Sequence, residues 1–178
     1  MAGIDESRRF VPVQIAIVTV SDTRSEQDDR SGATLVERAE KAGHTIVRRV
    51  IVADDRARIE ALLRGFIADR EVDVVIATGG TGLTGRDVTP EAFRAVYDKE
   101  IEGFGELFRW LSYKHVGVST LQSRATAGVA QGTYLFALPG SPSACRDAWD
   151  EILALQLDSR YRPCSLAGQI PRLRDLCA

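Results

Sequence analysis

The sequence is poor in the side chains that most often carry metal or nucleophilic chemistry. Its 178 residues include only two histidines and three cysteines. His44 and His115 are far apart in the chain, and no CxxC pair exists among Cys145, Cys164 and Cys177. These spacings argue against a zinc site and against a disulfide framework. Serine–histidine catalysis also lacks support, because the chain has no GxSxG motif.

The sequence also lacks the features of membrane, secreted and nucleic-acid-binding proteins. No apolar run approaches the roughly 20 residues that cross a bilayer, and the opening MAGIDESRRF has no apolar signal-peptide core. With 23 basic and 25 acidic side chains the net charge is −2, not the basic excess of a nucleic-acid binder. An odd number of scattered cysteines is typical of a reducing compartment. We expect a cytoplasmic protein without nucleic-acid or membrane partners.

What the sequence does contain is an alternation of short apolar runs with helical patterns. Runs rich in β-branched residues predict strands at 13–20, 45–52, 72–77 and 133–138. Helices are predicted at 31–42 capped by Ser31, after Asp54 or Asp55, at 90–97 capped by Thr89, around 104–111, and after Ser141. This order predicts an α/β fold, a three-layer αβα domain with a mostly parallel central sheet.

The length and the 44% hydrophobic content fit a single domain over residues 1–178. We expect its core to lie at about 13–158 and residues 159–178 to form a tail along the surface.

The most informative segment is a glycine-rich loop directly after the third predicted strand. Ligands bind at the carboxyl ends of strands in open α/β sheets, and glycines let backbone N–H groups approach an anion closely. Taken alone, the glycine pair has about even odds of being an ordinary turn. With its threonines and the downstream helix start, the loop predicts a phosphate-binding nest built by Thr78, Gly79, Gly80, Thr81 and Gly82.

Two familiar phosphate-binding motifs do not fit this loop. Gly80, Gly82 and Gly85 match the bare GxGxxG spacing, but the next helix starts too late for a dinucleotide fingerprint. A Walker A loop needs lysine followed by Ser or Thr, where this chain has Arg86 and Asp87. A carboxylate beside phosphates is repulsive unless a cation bridges them, so Asp87 predicts a bound magnesium ion.

Other polar residues follow the first two strands. Ser21 and Asp22 end the first strand, and Asp54 and Asp55 end the second. An Asp at a helix start is usually only a cap, which we favour by about three to one for each acid taken alone. If the second strand neighbours the strand of the glycine-rich loop, the side chains converge in one crevice, as ligand sites do.

Four segments together resemble the MogA/MoaB family of molybdenum cofactor biosynthesis proteins. The loop TGGTGLTGRDVTPEA looks like the family signature, and VTVSDTR, EGFGELFRWLS and LPGSPSAC resemble further family segments in the same order. The resemblance runs from about residue 13 to residue 163. The loop SDTRSEQDDRSG, the segment STLQSRA and the late RPC are more similar to the B branch than to the A branch.

The resemblance implies a domain that binds molybdopterin, a pterin with a dithiolene and a terminal phosphate. Adenylyltransferase members use ATP and magnesium to attach AMP to that phosphate and release pyrophosphate. Two aspartates matter in those members, and their matches here are Asp54 and Asp87, as catalytic residues and magnesium ligands. Ala53 stands where many of those members have proline.

The resemblance also implies a second binding loop with Pro139, Gly140, Ser141 and Ser143, which would form another anion nest. Ser123 and Arg124 are candidates for further anion contacts, and an ordinary exposed polar pair is an equal alternative. With Ser21 and Asp22, these residues complete the predicted pterin and nucleotide site.

Three functions therefore remain open at the level of sequence. The first is a molybdopterin adenylyltransferase, the second a non-catalytic protein that binds or delivers the pterin, and the third a generic nucleotide-binding regulator. The family resemblance implies a homotrimer or hexamer and contacts with other molybdenum cofactor biosynthesis proteins. An apolar helix stripe at Phe104, Leu107, Phe108 and Leu111, with Trp110 beside it, is typical of a subunit interface, and a core helix with one covered tryptophan is the alternative.

Overall fold

The structure is a computed structural model that describes residues 2–175. Its eight strands are β1 Gly3–Ile4, β2 Gln14–Val20, β3 Thr45–Val52, β4 Val74–Thr78, β5 Lys99–Glu100, β6 Thr126–Ala130, β7 Thr133–Leu138 and β8 Tyr161–Arg162. Its α-helices are α1 Arg30–Lys41, α2 Arg56–Ala68, α3 Thr89–Arg94, α4 Glu102–Val116, α5 Pro142–Ala148, α6 Ala154–Gln156 and α7 Ile170–Asp175. A π-helical turn, Trp149–Leu153, joins α5 to α6, and a 3₁₀ segment, Gly117–Gln122, follows α4.

Six strands form the central sheet in the order β3-β2-β4-β7-β6-β5. The strands β3, β2, β4 and β7 are parallel to one another, whereas β6 and β5 run antiparallel at one edge. The predicted αβα fold with a mostly parallel sheet is therefore confirmed. In addition, β1 and β8 pair in a small antiparallel sheet.

Alternate residues of the strands face two separate halves of the core. Ile15 and Ile17 of β2 pack with α1, α4 and α5, while Ala16 and Val18 pack with α2 and α3. This alternation follows from the period-2 geometry of a strand. The run is apolar on both faces because helices cover both sides of a parallel sheet. The carboxyl ends of β2, β3, β4 and β7 consequently share one edge.

The strand predictions hold for the four parallel strands and fail at the antiparallel edge of the sheet. The predicted strands 13–20 and 72–77 are observed as Gln14–Val20 and Val74–Thr78, and 45–52 and 133–138 are observed unchanged. No hydrophobic pattern predicts β6, TAGVA, because its residues are mostly small. Gly128 explains part of this, because a Cβ there would lie 2.4 Å from the Tyr97 ring.

The helix starts differ from the predictions in two places. Asp29, not Ser31, caps α1 by accepting a hydrogen bond from the N–H of Gly32 at 2.9 Å. The cap position of α3 is Val88, and Thr89 lies inside the helix, which ends at Arg94 rather than at 97. The alternative between two acids before α2 is resolved in favour of Asp55.

Residues 159–175 contain short regular elements rather than an irregular chain. Strand β8 pairs with β1, and α7 follows a 3₁₀ turn whose Ala167 is buried with Ile170 in the core. Cys145 is buried and Cys164 is exposed, both as free thiols, and Cys177 lies outside the described residues. Across residues 2–175, each helix is too short or too polar to cross a membrane.

Candidate functional site

The glycine-rich loop leaves the carboxyl end of β4 with two residues in left-handed backbone conformations. Gly79 has φ of +105° and Gly80 has φ of +63°. The N–H of Gly79 donates to the carbonyl of Leu138 at 3.1 Å, which ties the loop to the end of β7. The N–H groups of Gly80 and Thr81 have no backbone acceptor within residues 2–175. They are therefore free to donate to an anion.

Crowding makes glycine necessary at both left-handed positions. A Cβ on Gly79 would lie 2.2 Å from the carbonyl oxygen of Val20. A Cβ on Gly80 would lie 2.3 Å from Oγ1 of Thr89 and 2.5 Å from Oδ1 of Asp54. The glycines thus serve two ends, since they permit a positive φ and let polar side chains approach the loop backbone closely.

Arg124 braces the loop instead of facing open solvent. Its Nε donates to the carbonyl of Gly82 at 2.8 Å, and its Nη2 donates to the carbonyl of Asp87 at 2.7 Å. Its Nη1 pairs with Glu91 of α3. The planar guanidinium is suited to such a fork of acceptors. Arg124, a candidate for an anion contact or an ordinary exposed residue, thus donates to two backbone carbonyls of the loop.

Three carboxylates lie beside this loop, one from each of three chain segments. Oδ1 of Asp22 accepts a hydrogen bond from the N–H of Asp54 at 3.1 Å, and its other oxygen pairs with Arg86. Oδ2 of Asp87 accepts two hydrogen bonds from Thr84, at 2.9 Å from the N–H and 2.6 Å from the hydroxyl. Oδ1 of Asp54 is buried without a hydrogen-bond partner.

These environments move the pKa values of the acids in opposite directions. Burial raises the pKa of Asp54, and the negative charges of Asp22 and Asp87 raise it further. The hydroxyl of Thr84 holds the pKa of Asp87 below its usual value, and Arg86 does the same for the pKa of Asp22. Asp54 is thus the carboxylate whose charge is least stabilised by the protein.

The site fits a magnesium ion only if a substrate supplies ligands. Within residues 2–175, no group of three His, Cys, Asp or Glu side chains is placed to hold a metal ion. The buried oxygens of Asp54 and Thr89 nevertheless lack hydrogen-bond partners and flank Gly80. Magnesium commonly takes one or two carboxylates plus phosphate and water oxygens. Asp54 and Asp87 can provide the carboxylates.

The second loop, after β7, contacts the first and begins α5. A Cβ on Gly140 would lie 3.2 Å from Cα of Gly79, so the two loops touch. Oγ1 of Thr78 donates to the carbonyl of Pro139 at 2.9 Å, which joins them further. Ser141 caps α5 by accepting a hydrogen bond from the N–H of Ala144 at 3.1 Å, as predicted.

A cavity of about 510 Å³ lies between the two loops, α4, the 3₁₀ segment and α5. Nine of the predicted site residues line it: Gly80, Thr81, Gly82, Asp87, Ser123, Pro139, Gly140, Ser141 and Ser143. A cavity of this size is within the range of small-molecule sites. Its wall also includes residues that the sequence reasoning missed: Phe108, Ser112, Val116, Ser119, Thr120, Gln122, Ala144 and Asp147.

The remaining predicted residues lie outside the cavity wall. The hydroxyl of Ser21 accepts hydrogen bonds from the N–H groups of Thr23 and Arg24, and that of Thr78 is committed to Pro139. Most of the missed residues carried no signal, because the relation of α4 to the loops is set by tertiary packing. Asp147 was accessible to sequence reasoning, since it lies four residues after Ser143 on one helix face.

The second predicted strand, β3, does not neighbour the strand of the glycine-rich loop, but Asp54 after it still reaches that loop. Strand β2 lies between β3 and β4, so the strand before Asp54 does not neighbour the strand of the loop. Because β3 ends at Val52, two further residues carry the chain to the edge shared by the parallel strands. There Asp54 meets Gly80 from beyond the end of β2.

Comparison with known proteins gives a consistent set of relatives. A family model described as a probable molybdopterin binding domain matches residues 16–159. Molybdenum cofactor biosynthesis protein B of Escherichia coli (strain K12) is 54% identical over 159 residues, covering 89% of this chain and 94% of that protein. A probable molybdopterin adenylyltransferase of Methanocaldococcus jannaschii is 38% identical over 148 residues, covering 79% and 88%. A crystal structure of a molybdenum cofactor biosynthesis protein B superimposes with a TM-score of 0.86 at 39% identity, covering 94% and 99%.

Proposed function

This chain belongs to the molybdopterin-binding family of molybdenum cofactor biosynthesis proteins, and from that premise we propose that it adenylylates the terminal phosphate of molybdopterin. In this reaction a phosphate oxygen of the pterin bonds to the α-phosphorus of ATP. The bond from that phosphorus to the bridging oxygen breaks, and pyrophosphate leaves. The printed name of the Methanocaldococcus jannaschii relative, a probable molybdopterin adenylyltransferase, supports this activity.

One observation carries the proposal, namely that free loop N–H groups lie next to two carboxylates. The N–H groups of Gly80 and Thr81 are available to a phosphate, and Asp87 lines the same cavity. Asp54 lies on the other flank of Gly80. Phosphoryl and nucleotidyl transfer need positioning and charge neutralisation more than a protein nucleophile. A nest beside two acids meets that need when a divalent cation joins them.

In this proposal Asp87 and Asp54 would hold a magnesium ion. When bound, the ion would supply positive charge to offset negative charge on phosphate oxygens. The opposite pKa shifts suit this role, because Thr84 stabilises the anion of Asp87, whereas burial disfavours the charge of Asp54, which a bound cation would stabilise. Thr84 and Arg124 keep Asp87 and its loop in place.

In this proposal the cavity binds the pterin ring, and the loops after β4 and β7 bind its phosphate. Gly80, Thr81 and Gly82 contribute to the floor on one side, and Gly140, Ser141 and Ser143 on the other. Phe108 gives this space an apolar wall against which a planar heterocycle can lie.

A second candidate is a non-catalytic molybdopterin-binding or delivery protein, and one observation favours it. The cavity wall includes neither Asp22 nor Asp54, so a pterin could bind without either acid. This candidate predicts that Asp87→Asn leaves both pterin binding and cellular cofactor levels unchanged.

The proposal is tested by incubating the purified protein with molybdopterin, ATP and magnesium. We expect stoichiometric release of pyrophosphate and formation of adenylylated pterin. Tight pterin binding without either product would remove the enzymatic function and leave the binding protein.

We also propose that the chain acts as a homotrimer or hexamer. Three of the four residues of the predicted α4 stripe are buried in the subunit, but Leu107 is 42% exposed and Trp110 is 63% exposed. Further exposed apolar side chains follow at Tyr113, Val116, Val118 and Leu121. Patches of this kind tend to be covered by a partner. Sedimentation of the protein as a monomer at micromolar concentration would refute the assembly. Contacts with other molybdenum cofactor biosynthesis proteins belong to the same proposal.

A further inference from the structure

The cavity contains one acid that the proposed reaction does not use. Asp147 belongs to α5 and lines the cavity together with Ser143, one turn before it. Its neighbour Asp150 pairs with Arg38 at 2.9 Å. By contrast, Asp147 forms no ion pair with any residue between 2 and 175. The cavity therefore presents a carboxylate whose acceptor sites are not taken by a basic side chain.

The position of Asp147 separates it from the phosphate end of the cavity. It lies six residues after Ser141, which corresponds to about 9 Å along the helix axis. Ser141 and Gly140 adjoin the glycine-rich loop, so the loops and Asp147 mark two ends of the α5 wall. The loop end offers N–H donors, whereas the Asp147 end offers carboxylate acceptors. A ligand that carries an anion at one end and N–H donors at the other matches this polarity.

Two serine hydroxyl groups also belong to residues of the cavity wall. Oγ of Ser123 is buried and has no hydrogen-bond partner, and Ser123 lines the cavity. Ser112 of α4 is only 7% exposed and lines the cavity as well. A buried hydroxyl without a partner is costly, so a ligand that bonds to it gains affinity. These groups give the wall polar contacts between apolar residues such as Phe108.

We propose that Asp147 determines specificity for the pterin by accepting hydrogen bonds from the 2-amino group and the adjacent ring N–H. This inference rests on the proposed function for the identity of the ligand as a pterin. A pterin is a 2-amino-4-oxo heterocycle whose two neighbouring donors match the two oxygens of one carboxylate. Such a charge-assisted, two-point contact is stronger and more selective than a single neutral hydrogen bond.

The test compares two stable ring systems that differ at position 2. The probes are 6-hydroxymethylpterin, which has a 2-amino group, and 6-hydroxymethyllumazine, which has a 2-oxo group there. Affinities are measured by fluorescence titration without ATP or magnesium. The wild-type protein is expected to bind the pterin about 10- to 100-fold more tightly, because the lumazine places an acceptor against the carboxylate.

Asp147→Asn is the variant that sharpens the test. An asparagine presents one donor and one acceptor, which suits the amide edge of the lumazine. The variant is expected to lose the preference for the pterin and to bind both probes within about threefold of each other. Glu151→Gln is the matched control, because Glu151 is an exposed acid of the same helical segment and is not part of the cavity wall. It should keep the full preference.

Either of two results would overturn the inference. The first is that the wild-type protein binds neither probe or binds both equally well. This result is obtained without any variant. The other is an Asp147→Asn protein that retains the preference. Pyrophosphate release is scored separately, so a protein that prefers the pterin but releases none would refute the adenylylation and leave the role of Asp147 standing.

Discussion

The two loops that meet at Gly79 and Gly140 differ in what sets their backbone conformation. Both follow neighbouring parallel strands, β4 and β7. The second loop is an ordinary helix start, with a serine cap and a proline at the first helical position. The first has two left-handed glycines, and buried oxygens of Asp54 and Thr89 beside it lack hydrogen-bond partners. The backbone of the first loop thus depends on the conformational freedom of glycine, whereas that of the second depends on the helix it begins.

The two loops also differ in whether buried polar atoms beside them lack hydrogen-bond partners. In the second loop, Ser141 caps the helix and the carbonyl of Gly140 accepts hydrogen bonds from Ser31 and Arg24. The first loop leaves polar atoms of Asp54 and Thr89 buried without partners, an arrangement that costs free energy unless something binds. Such local costs are found at functional sites.

Adding one methyl group to each loop gives the largest expected contrast. Gly79→Ala places Cβ 2.2 Å from a backbone oxygen at a positive φ, whereas Gly140→Ala meets its nearest atom at 3.2 Å. Gly79→Ala is expected to reduce the free energy of unfolding by about 2–4 kcal/mol and Gly140→Ala by about 1 kcal/mol. Denaturant titration measures both, and equal losses would show that the loops are equally tolerant.

Removing one arginine from each loop gives the next contrast. Arg124→Met leaves the carbonyls of Gly82 and Asp87 without their donor, which is expected to cost about 2 kcal/mol. Arg24→Met removes the 3.2 Å hydrogen bond to the carbonyl of Gly140, but Ser31 still donates to that oxygen at 2.7 Å. The expected loss is below about 1 kcal/mol.

Pyrophosphate release should follow the same order, because Arg124 positions Asp87. We expect activity to fall at least about 10-fold in Arg124→Met and less than about threefold in Arg24→Met. A larger defect in the Arg24 variant would reverse the assignment of which brace supports the reacting loop.

Removing the helix cap tests the ordinary character of the second loop. Ser141→Ala deletes the side chain that accepts from the N–H of Ala144, at an expected cost of about 1 kcal/mol. Thermal unfolding measures the loss, and Ser141→Asp should recover most of it because aspartate is also a good cap. Failure of the aspartate variant to recover stability would mean that the hydroxyl acts in another way.

The smallest expected effect is a dependence on pH. The folded-state pKa of Asp54 lies above its ordinary value of 3.8, so the folded protein binds this proton more tightly than the unfolded chain does. Stability from this group is therefore lost as pH rises from about 3.8 through the folded-state pKa. Asp54→Asn should lack that loss and gain stability relative to wild type between pH 4 and pH 7, which denaturant titrations across that range measure.

The fold was largely readable from the sequence because its main strands are buried on both faces. Continuous β-branched runs such as QIAIVTV leave little ambiguity. The edge strand β6 was missed because Gly128 sits under Tyr97, so tertiary packing selected a weak strand former. The cap of α1 was placed two residues late for a similar reason. Asp29 is held by contacts to Thr19 and Arg49, which are distant in sequence.

The loops that form the site could be predicted from the sequence, but the contacts between them and α4 could not. The spacing of glycines and acids indicated Gly80 and Asp87, which do line the cavity. The role of Arg124 could not be inferred, because its acceptors are backbone carbonyls more than 30 residues away. The contribution of α4 depends on the path of the chain through β5 and β6, for which the sequence carried no signal.

The central claim is that Asp87 serves chemistry, whereas the loops and helices that form the rest of the cavity wall serve binding. Measuring pterin affinity and pyrophosphate release together for wild type and Asp87→Asn tests it most directly. We expect the variant to bind the pterin within about threefold of wild type and to release pyrophosphate at least about 100-fold more slowly, as loss of a metal ligand would cause. Equal rates of pyrophosphate release in the two proteins, or loss of pterin binding in Asp87→Asn, would contradict the account.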